Sequence, residues 1–327
     1  MARLILLIPS TSYRVSDFLS AALRLGVDVT VGSDQHQVLE GNTGNGTVAL
    51  DFANPKMAAA EIESFHASHP LTAIVAVDDV TSHVAALASK NLGLPHNDPA
   101  AVRATGNKLL LRDALTKADL PSPKHLTLAL DDDPKIFAGR VNYPCVLKPL
   151  SLSASRGVIR ANNEAEFCTA FERIKKLLKS LASNQTEILV EDYIEGEEVA
   201  LEGLMVEGKL TVLALFDKPD PLDGPYFEET IYITPSRQPD DIQRSIKNMA
   251  EQSANAIGLL EGPIHAELRT RPQAKNSNQA GPWLIEMAAR SIGGLCSRSL
   301  SFGDNLSLED IILRHAIGEP VLPDREA

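Results

Sequence analysis

The first hundred residues alternate short apolar runs with stretches of helical period, and few architectures accept that order. "RLILLI" is a continuous apolar run, after which Val15, Phe18, Leu19 and Ala22 recur at helical spacing until Gly26 stops the helix. "VDVTVGS" and "TAIVAVDD" are two further buried runs, and the helical stretches "PKMAAAEIESFHAS" and "SHVAALASKNLG" follow them. Strands separated by helices are joined by crossovers, so this part predicts a parallel sheet covered by helices. The loops "IPSTS" and "VDDVTS" would then stand at the strand ends, where such a sheet either binds a ligand or only turns the chain.

From about residue 98 the pattern changes. "DPAAVRATGNKLLLRDALTKADLP" opens with Asp98 as a cap and Pro99 at the first helical position, and Lys108 and Arg112 share a face four residues apart. "VNYPCVLKPL" reads as a strand, "NEAEFCTAFERIKKLLKSLA" as a periodic helix and "EILVEDYIEG" as another strand. "EVALEGLMVEGKLTVLALFDK" predicts a hairpin turning at Glu207 and Gly208. A helix near 239–257 follows, then the strands "PIHAELRT" and "PWLIEMAA" with the polar "RPQAKNSNQAG" between them. This second half mixes hairpins with helices in the α+β manner.

At 327 residues the chain is long enough for two or three compact units. A net charge of -12 lacks the basic footprint of a general nucleic-acid or membrane-surface binder. No apolar stretch approaches the roughly 20 residues that span a bilayer, and "MARLILLIPS" reads as a first buried strand. Cys145, Cys168 and Cys296 are far apart and free of metal-ligand spacing, which fits buried thiols in a reducing cytoplasm.

Three stretches carry chemistry. In "YPCVLKPLSLSASRG" an apolar strand delivers Lys148, with no acidic residue within ten positions on either side, so its partner comes from elsewhere in the chain or from a ligand. The small residues that follow, with Arg156 and Gly157, can fold closely over anionic oxygens; the same stretch also reads as a surface loop with a snorkelling lysine. In "PIHAELRT", His265, Glu267 and Arg269 share one face, and in "PWLIEMAAR" alternation groups Leu284, Glu286 and Ala288. If the two strands form a hairpin, Glu267 and Glu286 project together and suit a hard cation such as magnesium; otherwise they are two unrelated glutamates on a solvated face. The third stretch, "VEDYIEGEEVALEG", could offer backbone to an adenine edge and a carboxylate to ribose, or be an exposed acidic turn.

In this order, "GNKLLLR", "VLKPLSLSASRG", "VEDYIEGEE", "HAEL" and "IEMAAR" resemble the ATP-grasp superfamily of carboxylate-amine ligases and their carboxylase relatives. The segment "FDKPDPLDGPYFEETIYITPS" is most similar to its L-amino-acid (dipeptide) ligase branch, within the group that holds carbamoyl-phosphate synthases and biotin carboxylases. The resemblance implies an α/β plus α+β chain: a Rossmann-like parallel-sheet domain over 1–100, then a two-lobed ATP-grasp domain over 101–327. Its small lobe would span about 120–192 and its large lobe about 193–318.

The same resemblance implies the site. Lys108 and Lys148 would hold the α and β phosphates of ATP, making the nucleotide the partner of Lys148. The loop with Ser151, Ser153, Ser155, Arg156 and Gly157 would close over the triphosphate. Glu191, Tyr193 and Ile194 would form the adenine hinge, with Glu198 on the ribose. Glu267 and Glu286 would bind Mg²⁺, for which Mn²⁺ can substitute, and Arg290 would steady the transferring phosphoryl group with Lys148 and Arg156. Glu229 would take the substrate's amino group, with Lys218, Tyr232 and His265 beside the substrate.

Two positions depart from that pattern: Ala288 stands where many relatives carry a metal-binding asparagine, and Tyr232 where dipeptide ligases tend to carry histidine. The chain also ends soon after "IILRHAIGEPVLPDREA", whereas many relatives continue into a small subdomain. The expected activity is ATP-dependent joining of a small carboxylate to an amine through an acyl phosphate. Activation of bicarbonate and a non-catalytic nucleotide-binding module are the alternatives. The expected partners are small carboxylates and amines, with no nucleic acid or membrane; a homodimer would fit the family.

Overall fold

The computed structural model describes residues 2–35, 46–271 and 281–321. Its amino-terminal part runs β1 (Arg3–Leu7), α1 (Val15–Leu25), β2 (Asp28–Ser33), β3 (Thr47–Ala49), α2 (Pro55–Ser68), β4 (Ala73–Ala76) and α3 (Asp79–Leu92). The strands pair in parallel in the order β3-β2-β1-β4. On β1, Leu4 and Leu6 face one way, against Phe18 of α1, while Ile5 and Leu7 face the other, against Ile62 of α2 and Val84 of α3. Burial on both faces is why the strand reads as an unbroken apolar run. Gly26 ends α1 in the left-handed conformation at φ 64, where a side chain would be strained. The sequence pattern did not reveal β3, which at three residues is too short to show a period.

The segment after α3 is two helices, α4 (Pro99–Thr105) and α5 (Lys108–Lys117). Asn107 separates them, its side chain capping α5 by accepting from the N–H groups of Leu109 and Leu110. A second sheet follows from β5 (His125–Ala129), α6 (Pro134–Ala138), β6 (Cys145–Pro149), β7 (Ile159–Ala161), α7 (Glu164–Ser180) and β8 (Glu187–Asp192). It is antiparallel, in the order β5-β8-β6-β7, and α7 buries Phe167, Phe171, Ile174 and Leu178 against it.

The third sheet comes from β9 (Glu197–Val206), β10 (Lys209–Lys218), α8 (Asp240–Ile257), β11 (Gly262–Arg271), β12 (Gly281–Ala288) and α9 (Leu308–Ala316). It is antiparallel in the order β10-β9-β11-β12. Glu207 and Gly208, at φ 48 and φ 76, form the two-residue turn between β9 and β10 that the sequence predicts. On one face α8 packs Ile246, Met249 and Ala250 against Val199, Leu201, Ile264 and Leu268. The opposite face looks towards the second sheet and carries the polar residues. The loop between β11 and β12, residues 272–280, lies outside the described residues. Among the described residues no helix is long and apolar enough to cross a membrane.

Candidate active site

The register of the third sheet arranges its polar face in cross-strand rows. Lys218 stands opposite Glu198, and Glu198 opposite Arg269. In the next row are Phe216, Ala200, Glu267 and Glu286, and in the one after it Ala214, Glu202, His265 and Ala288. Alternation on each strand places these side chains two residues apart and therefore on one side. Glu267 and Glu286 are thus direct neighbours across the β11–β12 pair.

A bulge adjoins that pair. Leu268 pairs with Leu284 and Glu267 with Glu286, which leaves Ile285 with no partner on β11. Simple alternation groups Leu284 with Glu286, and the structure corrects this: Leu284 is fully buried in the core under α8, while Glu286 lines the cleft. One extra residue changes the side that everything after it faces.

The cleft between the second and third sheets is lined by Lys108, Lys148, Ser155, Tyr193, Ile194 and Glu198, together with Glu267, Ile285 and Glu286. On its upper wall Lys148 Nζ lies 2.7 Å from Glu191 Oε2, and Arg112 Nε donates to Glu191 Oε1 at 2.7 Å. The resting partner of Lys148 is therefore Glu191, 43 residues away along the chain, rather than a nucleotide alone. Burial alone would raise the Glu191 carboxyl, but the Arg112 and Lys148 charges overcome this and bring it down to about 2. Arg112, fully buried, also donates to the carbonyls of Leu284 and Ile285 at 3.2 and 2.7 Å, so it ties the bulge to α5 and β8. Lys108 Nζ donates to Leu152 O at 2.7 Å and lies 3.4 Å from Glu286 Oε1.

The lower wall has the reverse balance. Lys218 Nζ lies 2.9 Å from Glu198, 2.6 Å from Glu229 and 3.0 Å from Glu267. Burial would lower this lysine, and the three carboxylates overcome it, holding its pKa well above the ordinary range. Burial raises the Glu229 carboxyl and the nearby Glu267 charge raises it further; the Tyr232 hydroxyl donates to Glu229. Glu198 also accepts from Arg269 Nε at 2.8 Å. Glu198, Glu229 and Glu267 come close enough to share a cation, but the Lys218 ammonium already sits among them. Glu267 and Glu286 pair across β11 and β12, and both line the cleft beside that ammonium. His265 Nε2 lies 3.8 Å from Glu267 and its Nδ1 3.4 Å from the fully buried Glu202.

The loop over the cleft carries three residues in the left-handed region, Ala154, Ser155 and Gly157, at φ 54, 51 and 79. A Cβ on Gly157 would come within 2.8 Å of Pro149 and 2.9 Å of Leu177, so the loop's close turn needs glycine there. Ser151, Ser153 and Arg156 are exposed. The segment carrying Glu229 is strapped to the second sheet: Ile159 bridges to Tyr226, Arg160 N–H donates to Pro225 O at 2.9 Å, and Arg173 donates to the Tyr226 hydroxyl at 2.7 Å. Arg290, just past β12, is engaged by Asp79 at the start of α3.

Sequence reasoning grouped Arg269 with His265 and Glu267 and placed Glu202 in the acidic stretch, yet gave these two, and Asp79, Arg112 and Ile285, no place in the site. Glu202 and Arg269 were within reach, since Glu202 lies four residues along its strand from Glu198 and Arg269 two residues along its strand from Glu267. The other three depend on contacts distant in sequence or on the bulge.

An ATP-grasp domain family model matches residues 141–299 and an ATP-grasp N-terminal domain model matches residues 19–96. The alanine–anticapsin ligase of Bacillus subtilis (strain 168) is 28% identical over 225 residues, 64% of this chain and 46% of the relative. Dapdiamide A synthase of Enterobacter agglomerans is 28% identical over 193 residues, 58% of this chain and 43% of the relative. The chain spans under half the length of these relatives. Among solved structures, the L-amino acid ligase from Bacillus licheniformis superposes with a TM-score of 0.77 at 23% identity, covering 97% of this chain and 74% of that one.

Proposed function

Because the chain belongs to the ATP-grasp superfamily, we propose that it is an ATP-dependent ligase joining a small carboxylate, an amino acid, to an amine. The observation that carries this reading is the cleft itself, with a cation-rich wall bearing Lys108, Lys148 and Arg112 opposite a carboxylate-rich wall bearing Glu267 and Glu286. The names of the relatives, one joining alanine to anticapsin, give the substrate class.

A carboxylate resists attack by an amine, so it is first activated. One carboxylate oxygen forms a bond to the γ-phosphorus of ATP while the bond from that phosphorus to the ADP oxygen breaks, giving an acyl phosphate. The amine nitrogen then attacks the acyl carbon, the bond from carbon to the phosphate oxygen breaks, and phosphate leaves with one proton lost from nitrogen. Lys108 and Lys148 meet the phosphates, and Arg290 meets the charge on the transferring group. Glu267 and Glu286 would hold Mg²⁺, which when bound neutralises phosphate charge. Tyr193 and Ile194 take the adenine and Glu198 the ribose. Glu229, with Tyr232 and Lys218 around it, holds the substrate's amino group, while His265 supports Glu267 from the adjoining row. Closure of residues 151–157, with Arg156, excludes water that would hydrolyse the acyl phosphate.

The test is phosphate release from ATP and Mg²⁺ across pairs of amino acids and amines, with mass spectrometry of the products. Release that requires both members of a pair, with a condensed product, is expected. ATP binding with no pair-dependent release, or release that depends on bicarbonate, would overturn the reading.

A further inference from the structure

The arginine next to the chemistry is held from the other end of the chain. Arg290 Nε donates to Asp79 Oδ1 and Arg290 Nη2 to Asp79 Oδ2, both at 2.8 Å, while Nη1 donates to Ser291 O at 2.9 Å. A guanidinium has five N–H donors in a rigid plane. Three are occupied, which leaves one donor on each terminal nitrogen.

Asp79 is not among the residues that line the cleft, and neither is Arg290, which follows the cleft-lining Glu286 by four positions. Asp79 is also not needed to start its helix, because the Asp78 N–H donates to Thr81 Oγ1 at 3.4 Å and the Thr81 hydroxyl donates back to Asp78 O at 2.8 Å. The backbone beside Arg290 is fixed separately. The Ser291 hydroxyl accepts from the buried Arg14 at 2.7 Å, Arg14 also donates to Val77 O at 3.2 Å, and the Ile292 N–H donates to Glu202 at 2.8 Å. Arg24 with Asp310 and Arg298 with Asp17 already brace the parallel-sheet region against the rest of the chain. Asp79 differs from those braces in acting on the one arginine that stands just past the glutamate-bearing strand β12.

We propose that Asp79 is a positioning residue for phosphoryl transfer: from the amino-terminal sheet it clamps one edge of the Arg290 guanidinium and leaves the outer edge for oxygens of the transferring group. This gives "VDDVTS" a part in the reaction without a ligand contact of its own. It rests on the reading of Arg290 as a phosphoryl-group arginine.

The experiment is calorimetric and needs no knowledge of the substrates. ADP with Mg²⁺ is titrated alone and with fluoroaluminate, a mimic of the transferring phosphoryl group, on the full chain. The wild type is expected to bind the pair more tightly than ADP alone. Asp79→Ala is expected to keep its ADP affinity within about twofold and to lose about ten- to a hundredfold of the gain from fluoroaluminate, the size of a misplaced catalytic group. Asp79→Glu should recover part of it, and Asp79→Ala with Arg290→Ala should lose no more than Arg290→Ala alone. Arg24→Ala, which breaks a comparable brace elsewhere, should retain the whole gain. Asp79 is 42% exposed, so its substitution leaves the core intact, and Asp79→Asn carries the same test with the shape kept. A full gain in Asp79→Ala, or losses that add in the double variant, would overturn the role of Asp79 alone. A full gain in Arg290→Ala would overturn the reading of Arg290 and this proposal with it.

Discussion

Glu191 and Lys218 face each other across the cleft as the centres of two buried charge clusters of opposite surplus. Around Glu191 one carboxylate serves two cations, Arg112 and Lys148. Around Lys218 one ammonium serves three carboxylates, Glu198, Glu229 and Glu267. A buried charge is costly unless paired, and a cluster that pairs most but not all of its charges is left waiting for the remainder. The upper wall keeps a surplus of cations around its carboxylate, while on the lower wall Arg269 beside Glu198 and His265 beside Glu267 offset part of the carboxylate surplus around Lys218. The contrast between the two clusters, more than the presence of either, supports the proposed site.

The largest test of that contrast removes charge where the lower wall is nearest the cleft. Glu286→Gln should lower Mg²⁺-dependent turnover on the order of 10³-fold while the melting temperature stays put, because the group is 34% exposed and the change is isosteric. Turnover at the wild-type level would remove Glu286 from the metal site. Next, Lys218→Met removes the ammonium that three carboxylates share, leaving Glu198 with Arg269 and Glu267 with His265, and should cost about 3–5 kcal/mol in urea unfolding. Added Mg²⁺ should restore part of this loss. Failure of Mg²⁺ to do so, or equal restoration of Glu191→Gln by Mg²⁺, would break the asymmetry between the walls.

A pH series tests the upper wall. The Glu191 carboxyl is lowered in the folded state from 4.5 to about 2, so its stabilisation is complete above pH 4.5 and is lost as pH falls through about 2. The shift corresponds to about 3 kcal/mol. The wild type should lose stability over that window relative to Glu191→Gln, whereas parallel curves would show that the cluster does not hold the carboxylate charged. The smallest expected effect is at Arg156, exposed in the loop over the cleft. Arg156→Ala should raise the KM for ATP about two- to fivefold, less at high salt, with unfolding unchanged.

Much of the framework was legible because it depends on local period: the parallel strands, the hairpin at Glu207 and Gly208, and the long helix α7 all follow alternation, helical spacing or a turn residue. The opposition of Glu267 and Glu286 was legible from the hairpin, although the faces that alternation assigns to β12 hold on only one side of the bulge. What stayed hidden was set by distance along the chain. Arg112 meets Glu191 79 residues away, and Arg290 meets Asp79 211 residues away, and no local pattern encodes either pairing. The break before α5 carried a readable signal in Asn107, a good cap, yet the apolar spacing ran through it. The bulge carried no signal, for Ile285 is neither glycine nor proline and is an ordinary strand residue.

That bulge can be understood as a matter of counting. Removing Ile285 would leave Leu284 and Glu286 adjacent, and the ladder with Leu268 and Glu267 would run on without interruption. The leucine would still point inwards and the glutamate outwards. Ile285 is thus a supernumerary rung, dispensable to the parity of the strand, whose two products are an apolar side chain in the cleft and a spare carbonyl that receives Arg112. A shorter strand of even step would keep its acid in place and lose the shorter of the two bonds by which Arg112 fastens it to the opposite wall.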